Sequence, residues 1–142
     1  MEQKQVNIAI KKIKEVEFFI NEEIELANPP IANIKFELTI NFVLSDKSVE
    51  MLLTTHFVDQ AGASFMKIKI SNVFLFLELA NFHKPDSSEF DIPDNVLVTF
   101  MSLSISHSRA LLAKNAQGTK FADLYIPIVN PSEILKQLIG GK

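Results

Sequence analysis

The stretch Asp94-Asn95-Val96-Leu97-Val98-Thr99-Phe100-Met101-Ser102-Leu103-Ser104-Ile105-Ser106-His107-Ser108-Arg109-Ala110-Leu111-Leu112-Ala113 decides the fold. It contains neither Gly nor Pro, follows Ile92-Pro93, and meets its first breaker at Gly118, all of which favour a helix. Yet Met101, Leu103 and Ile105 alternate with Ser102, Ser104 and Ser106, the period of a strand. Wound as a helix, the stretch puts Leu97, Phe100, Leu103 and Leu111 on one side and Val98, Met101, Ile105 and Leu112 on another. Such a helix is apolar on two faces and needs cover on both. The pairs Ser102/Ser106 and Ser104/Ser108 are small residues four apart, which would permit close helix approach.

Downstream, Gly118-Thr119 interrupts the pattern, and Tyr125-Ile126-Pro127-Ile128-Val129-Asn130-Pro131 leads into an amphipathic stretch, Ser132–Ile139. Asn130 suits an N-cap, Pro131 suits the first helical position, and Glu133 can reach back to the cap amide. Ile134, Leu135, Leu138 and Ile139 recur at helical spacing, and Gly140-Gly141 stops the helix. A helix of only about eight residues is marginal by itself, so it must lie on something apolar.

Upstream, the period changes to two. Ile34, Phe36, Leu38, Ile40, Phe42 and Leu44 alternate with Lys35, Glu37, Thr39 and Asn41, the pattern of a half-buried strand. Ser45-Asp46-Lys47-Ser48 turns the chain into Val49, Met51, Leu53, Thr55 and Phe57, and Asp59-Gln60-Ala61-Gly62 turns it again into Met66, Ile68 and Ile70. Connections this short favour an antiparallel meander. Val6, Ile8 and Ile10 alternate, as do Val16, Phe18 and Ile20. Ile13 lies out of phase between them, which predicts a bulge there or a bend in a long first strand.

Length and composition fit a single domain over residues 1–142. Hydrophobic residues make up 47% and mean hydropathy is +0.17. No apolar run approaches the roughly 20 residues of a membrane span, so no membrane insertion is expected. The surplus apolar surface points instead to oligomer contacts or a greasy binding surface. The polar Met1–Gln5 start has no signal-peptide pattern, and a cytoplasmic location is expected. The absence of cysteine excludes disulfides and thiol catalysis, and a net charge of −3 argues against nucleic-acid binding.

Catalytic patterns are scarce. His56, His83 and His107 have no paired ligand spacing, so no metal is expected. His107 beside Ser104 and Ser108 lacks a nucleophile elbow and reads as a structural histidine. Four glycines, two of them at Gly140-Gly141, build no phosphate-cradling loop, and no cofactor is expected. Asp86, Glu89, Asp91 and Asp94 around Pro93 fit a solvated loop and a helix N-terminus, where negative charge is favoured. These residues do not describe an enzyme.

The order of strands, long helix and short helix resembles the SecB family of export chaperones from about Ile8 to Ile139. The matching parts are Lys14-Glu15-Val16-Glu17-Phe18, Ser108-Arg109, and Pro127-Ile128-Val129-Asn130. The resemblance resolves the Asp94–Ala113 ambiguity in favour of a helix. It implies an α+β fold: a four-stranded antiparallel sheet packed on a long helix, with a second short C-terminal helix. It also implies a dimer of dimers with the long helices between two sheets, and Val98, Met101, Ile105 and Leu112 are expected at that oligomer interface.

The activity implied is ATP-independent holding of unfolded polypeptide, preproteins or dedicated clients, in a translocation- or folding-competent state. The implied client groove lies between the short helix, with Ile134, Leu135 and Leu138, and the Asn21–Asn33 crossover, with Ile24, Leu26, Pro29, Pro30 and Ile31. Phe74 and Phe76 join it, because Phe74-Leu75-Phe76-Leu77 is apolar on both faces and needs cover on both. In the family, docking to the SecA motor uses acidic residues late in the first strand and on the last strand. Glu15 keeps one such charge, but Phe19 stands where a second is expected, and Lys67 and Lys69 occupy the last strand's outward face. SecA as a partner is therefore left open, and the departure resembles divergent SecB-like groups dedicated to an antitoxin or another client. The main alternative is a structural or adaptor oligomer on this fold without a client groove; a small-molecule binder is a third.

Overall fold

The computed structural model describes residues 7–25 and 32–139. Four strands, β1 (Ile8–Ile20), β2 (Asn33–Val43), β3 (Ser48–Val58) and β4 (Ser64–Phe76), form one antiparallel sheet in the order β1-β4-β3-β2. Helix α1 (Asp94–Ala116) packs across β3 and β4, and helix α2 (Pro131–Ile139) packs on α1 and β2. This is the α+β architecture expected. The β3–β4 turn is tied by the Asp59 carboxylate, which accepts the amides of Ala61 and Ala63 at 2.9 Å. Gly62 supplies the φ of +87° that the turn requires.

The core lies between β3, β4 and α1. Met51, Leu53, Met66, Ile68 and Ile70 meet Phe100, Met101 and Leu112, all essentially inaccessible to water. Each such side chain contributes about 1.5–3 kcal/mol by its burial.

Helix α1 buries Phe100, Met101, Ser104, Ile105, Ser108, Leu112 and Ala116, and exposes Thr99, Ser102, Ser106 and Ala110. Its cover is thus the sheet of its own subunit, which corrects the assignment of Met101, Ile105 and Leu112 to an oligomer interface. These three are intrachain core, and Val98 is half-buried. Of the two inward serines, Ser104 donates from Oγ to the Phe100 carbonyl at 2.8 Å, one turn back, while the Ser108 hydroxyl has no hydrogen-bond partner among the described residues. By length and composition α1, at 23 residues, is apolar enough to cross a membrane, contrary to the expectation from the sequence. In this fold its buried side is the cover of the sheet.

Strand β1 is one long strand with bulges, as expected, but they flank Ile13, which itself pairs in register with Asn72; the irregularities fall between Ile10 and Lys12 and between Glu15 and Glu17, leaving Lys11 and Val16 as the bulged residues. Phe74 and Phe76 belong to the core, not to a groove. Phe74 stacks on Phe100 with ring centroids 4.3 Å apart, and Phe76 stacks on Phe82 at 5.8 Å.

One buried polar link ties helix to sheet. Asn72, in a core-facing position of β4, donates from Nδ2 to the carbonyls of Met51 and Ile70. Its Oδ1 is left to accept from His107 Nδ1, 2.8 Å away. Burial holds the His107 pKa below its ordinary value of 6.5. The unfolded chain therefore takes up this proton more readily than the folded one. Its stabilising effect is complete above about 6.5 and is lost as pH falls through the lower folded-state value. Thermal melts from about pH 6.5 downward should show a decline in Tm that His107→Gln lacks. An identical decline in the variant would remove His107 as its source.

Candidate functional site

The helix side of the sheet is unevenly covered. Helix α1 seals β3 and β4, but Ile34, Phe36, Leu38, Ile40 and Phe42 of β2 remain half-buried. They share one face because side chains on a strand alternate, and they form a continuous apolar stripe on an edge strand. Helix α2 leans over this stripe. Its cap forms as the sequence predicts, with Asn130 Oδ1 accepting the amides of Ser132 and Glu133 at 3.0 and 3.3 Å. The segment before it is fixed by Arg109, which donates from Nε to the Ile126 carbonyl and from Nη2 to the Pro127 carbonyl, both at 2.8 Å.

Two cavities open beside α2. One, of about 250 Å³, lies between the first turn of α1 and the length of α2 and is lined by Leu97, Val98, Leu135 and Ile139. The other, of about 490 Å³, lies between β2 and the loop before α1, lined by Ile40, Phe42, Phe90 and Ile92. Leu97 and Ile139 border both, so the two are adjoining parts of one apolar groove. Phe90 is held against Phe42 with ring centroids 4.6 Å apart. Charges at the rim are mixed: Lys84 pairs with Glu89 at 3.4 Å, while Asp94 and Lys136 flank the smaller cavity. This arrangement offers apolar area ringed by polar groups.

The expected groove residues scatter. Leu135 lines the smaller cavity but is only 5% exposed, while Ile134 and Leu138 are half-buried. Ile24 packs half-buried on the core. Around it the start of the crossover is tied down: Asn21 N–H donates to the Phe65 carbonyl, and Lys120 N–H donates to the Glu22 carboxylate. Leu26, Pro29, Pro30 and Ile31 lie outside the described residues. Glu15 pairs across the sheet with buried Ile70 and accepts a hydrogen bond from Asn115 of α1, so it sits on the helix side, opposite Lys67 and Lys69. The sequence reading missed Ile40, Phe42, Phe90, Ile92, Leu97 and Ile139. Only the isolated apolar Phe90 and Ile92 amid acidic neighbours pointed to this wall.

No family model and no curated protein matches this sequence. A solved structure does match: the Mycobacterium tuberculosis Rv1957 SecB-like chaperone in complex with a ChAD peptide from the Rv1956 HigA1 antitoxin. The superposition has a TM-score of 0.60 at 10% sequence identity and covers 87% of this chain and 90% of that one. The fold is SecB-like. At that identity the likeness concerns architecture.

Proposed function

We propose that this chain is a chaperone that holds unfolded polypeptide segments in the groove beneath α2, without ATP. The observation that carries this reading is the half-covered apolar stripe of β2 running into the two cavities. Apolar side chains bind many sequences weakly through burial alone, as a holdase requires. The SecB-like neighbour's peptide complex supports the same reading. The direct test is suppression of aggregation of a chemically unfolded protein by equimolar amounts of this chain, with and without ATP. Unaltered aggregation would sink the proposal and favour an adaptor role, for which the near-complete burial of Leu135 already speaks.

The same proposal includes self-association. Edge strand β1 exposes Ile10, Ile13, Val16 and Phe19 by 42–49%, and its outer edge has no partner strand among the described residues. Pairing of two β1 edges, followed by stacking of the dimers through the small exposed residues of α1, would give the dimer of dimers. Ile10→Lys with Ile13→Lys should lower the mass seen by light scattering while leaving the fold intact by circular dichroism. An unchanged mass would place the interface elsewhere.

A further inference from the structure

Both helices pack on one face of the sheet, and the opposite face carries an unusual charge pattern. Lys35, His56 and Lys67 are direct cross-strand partners on β2, β3 and β4, and Phe19 of β1 continues the row beside Lys67. Residues paired in this way point to the same side. Lys67 lies between Met66 and Ile68, both fully buried on the helix side, so this row faces away from the helices. Lys69 follows two residues on, on the same side.

Like charges brought close across strands cost stability, and Lys35 and Lys67 both flank His56. Part of the charge is answered within the chain: Glu17 pairs with Lys67 at 2.9 Å and Glu37 with His56 at 3.3 Å. Among the described residues Lys35 and Lys69 make no ion pair. Over the whole outer face Lys12, Lys14, Lys35, Lys67 and Lys69 outnumber Glu17, Glu37 and Glu50, on a chain whose net charge is −3. The surface already accommodates a carboxylate well. Glu17 is held below its ordinary pKa, first by its hydrogen bond to Lys67 and then by the charges of Lys67, Lys69 and His56.

We propose that this end of the outer sheet face, with Lys35, Lys67, Lys69 and the 42%-exposed Phe19, docks an acidic, extended polypeptide segment of a partner protein. Lys67 and Lys69 are about 7 Å apart along β4, the side-chain repeat of an extended chain, so acidic residues at alternate positions meet both. Phe19 offers an apolar contact at the end of the row. A peptide that alternates acidic and neutral residues can set the neutral ones beside Glu17 and Glu37, which a phosphate backbone, charged at every repeat, cannot. This site is on the far side of the sheet from the groove, so both can be occupied together and each can fail alone.

The test uses a labelled peptide of about twelve residues that alternates Glu with Thr and ends in Leu, followed by fluorescence anisotropy on the full chain. Binding should weaken about tenfold between roughly 50 and 300 mM salt. Lys35→Gln with Lys69→Gln should cost roughly fivefold or more, whereas Lys35→Arg with Lys69→Arg should retain the affinity. An excess of unfolded client should not displace the peptide. Equal affinity of the glutamine variant and the native chain would overturn the proposal. Displacement by unfolded client, or tighter binding of a DNA oligonucleotide at the same salt, would overturn it too.

Discussion

Met101→Asp is expected to unfold the chain, not to dissociate it. Met101 is wholly inaccessible on the sheet side of α1, where an unpaired carboxylate costs several kcal/mol or must stay protonated. Domains of this size are stable by only about 5–15 kcal/mol, so circular dichroism should show a chain without a cooperative melt. Ser106→Asp, on the exposed side of the same helix, should stay within about 0.5 kcal/mol of the native protein in urea titrations. A folded, monomeric Met101→Asp chain would mean that the helix turns this residue toward a neighbouring subunit after all.

Client affinity should respond most to the groove floor. Phe42→Ser removes a half-buried ring that lines the larger cavity. It should weaken binding of an unfolded peptide by about tenfold to a hundredfold, the effect of losing one anchor of about 1.5–3 kcal/mol. Leu135→Ser tests the opposite case. With 5% exposure it should lower stability by about 2–5 kcal/mol through a core cavity, with little change in affinity per folded molecule. Affinity and melting temperature measured on both variants separate the two effects. If Phe42→Ser lowers only stability, the groove is part of the core and holds no client.

Much of this architecture was readable from residue order, because β2, β3 and α2 carry clean local signals: strict alternation, an Asx-type turn at Asp59, a cap at Asn130. Strand β4 was harder to read as one element. At Asn72 a polar side chain occupies a core-facing position between Ile70 and Phe74, and the partner that makes it tolerable, His107, comes 35 positions later. The faces of α1 were misassigned for a related reason. Ser104 and Ser108 read in sequence as small residues that permit close helix approach, but they are buried with Met101 and Ile105 on the sheet side. The groove was less legible still. That β2 is amphipathic is local information, but that its apolar face is only half covered depends on where α2 ends and where Phe90 lands.

The two bulges of β1 have a meaning in terms of descent. Without Lys11 and Val16, the strand reduces to the residues that pair one-to-one with β4, and its length becomes the 11 residues of β2 and of β3. Each extra residue lacks a partner, so its gain or loss leaves every other pair, and the inward or outward direction of every other side chain, as it was. Strand β1 is thus a place where the gene can lengthen or shorten by one codon at little cost to the sheet. What such a change alters is the bend of the exposed edge. Relatives differing there by single-residue insertions would keep the same interior and differ in how readily that edge meets another.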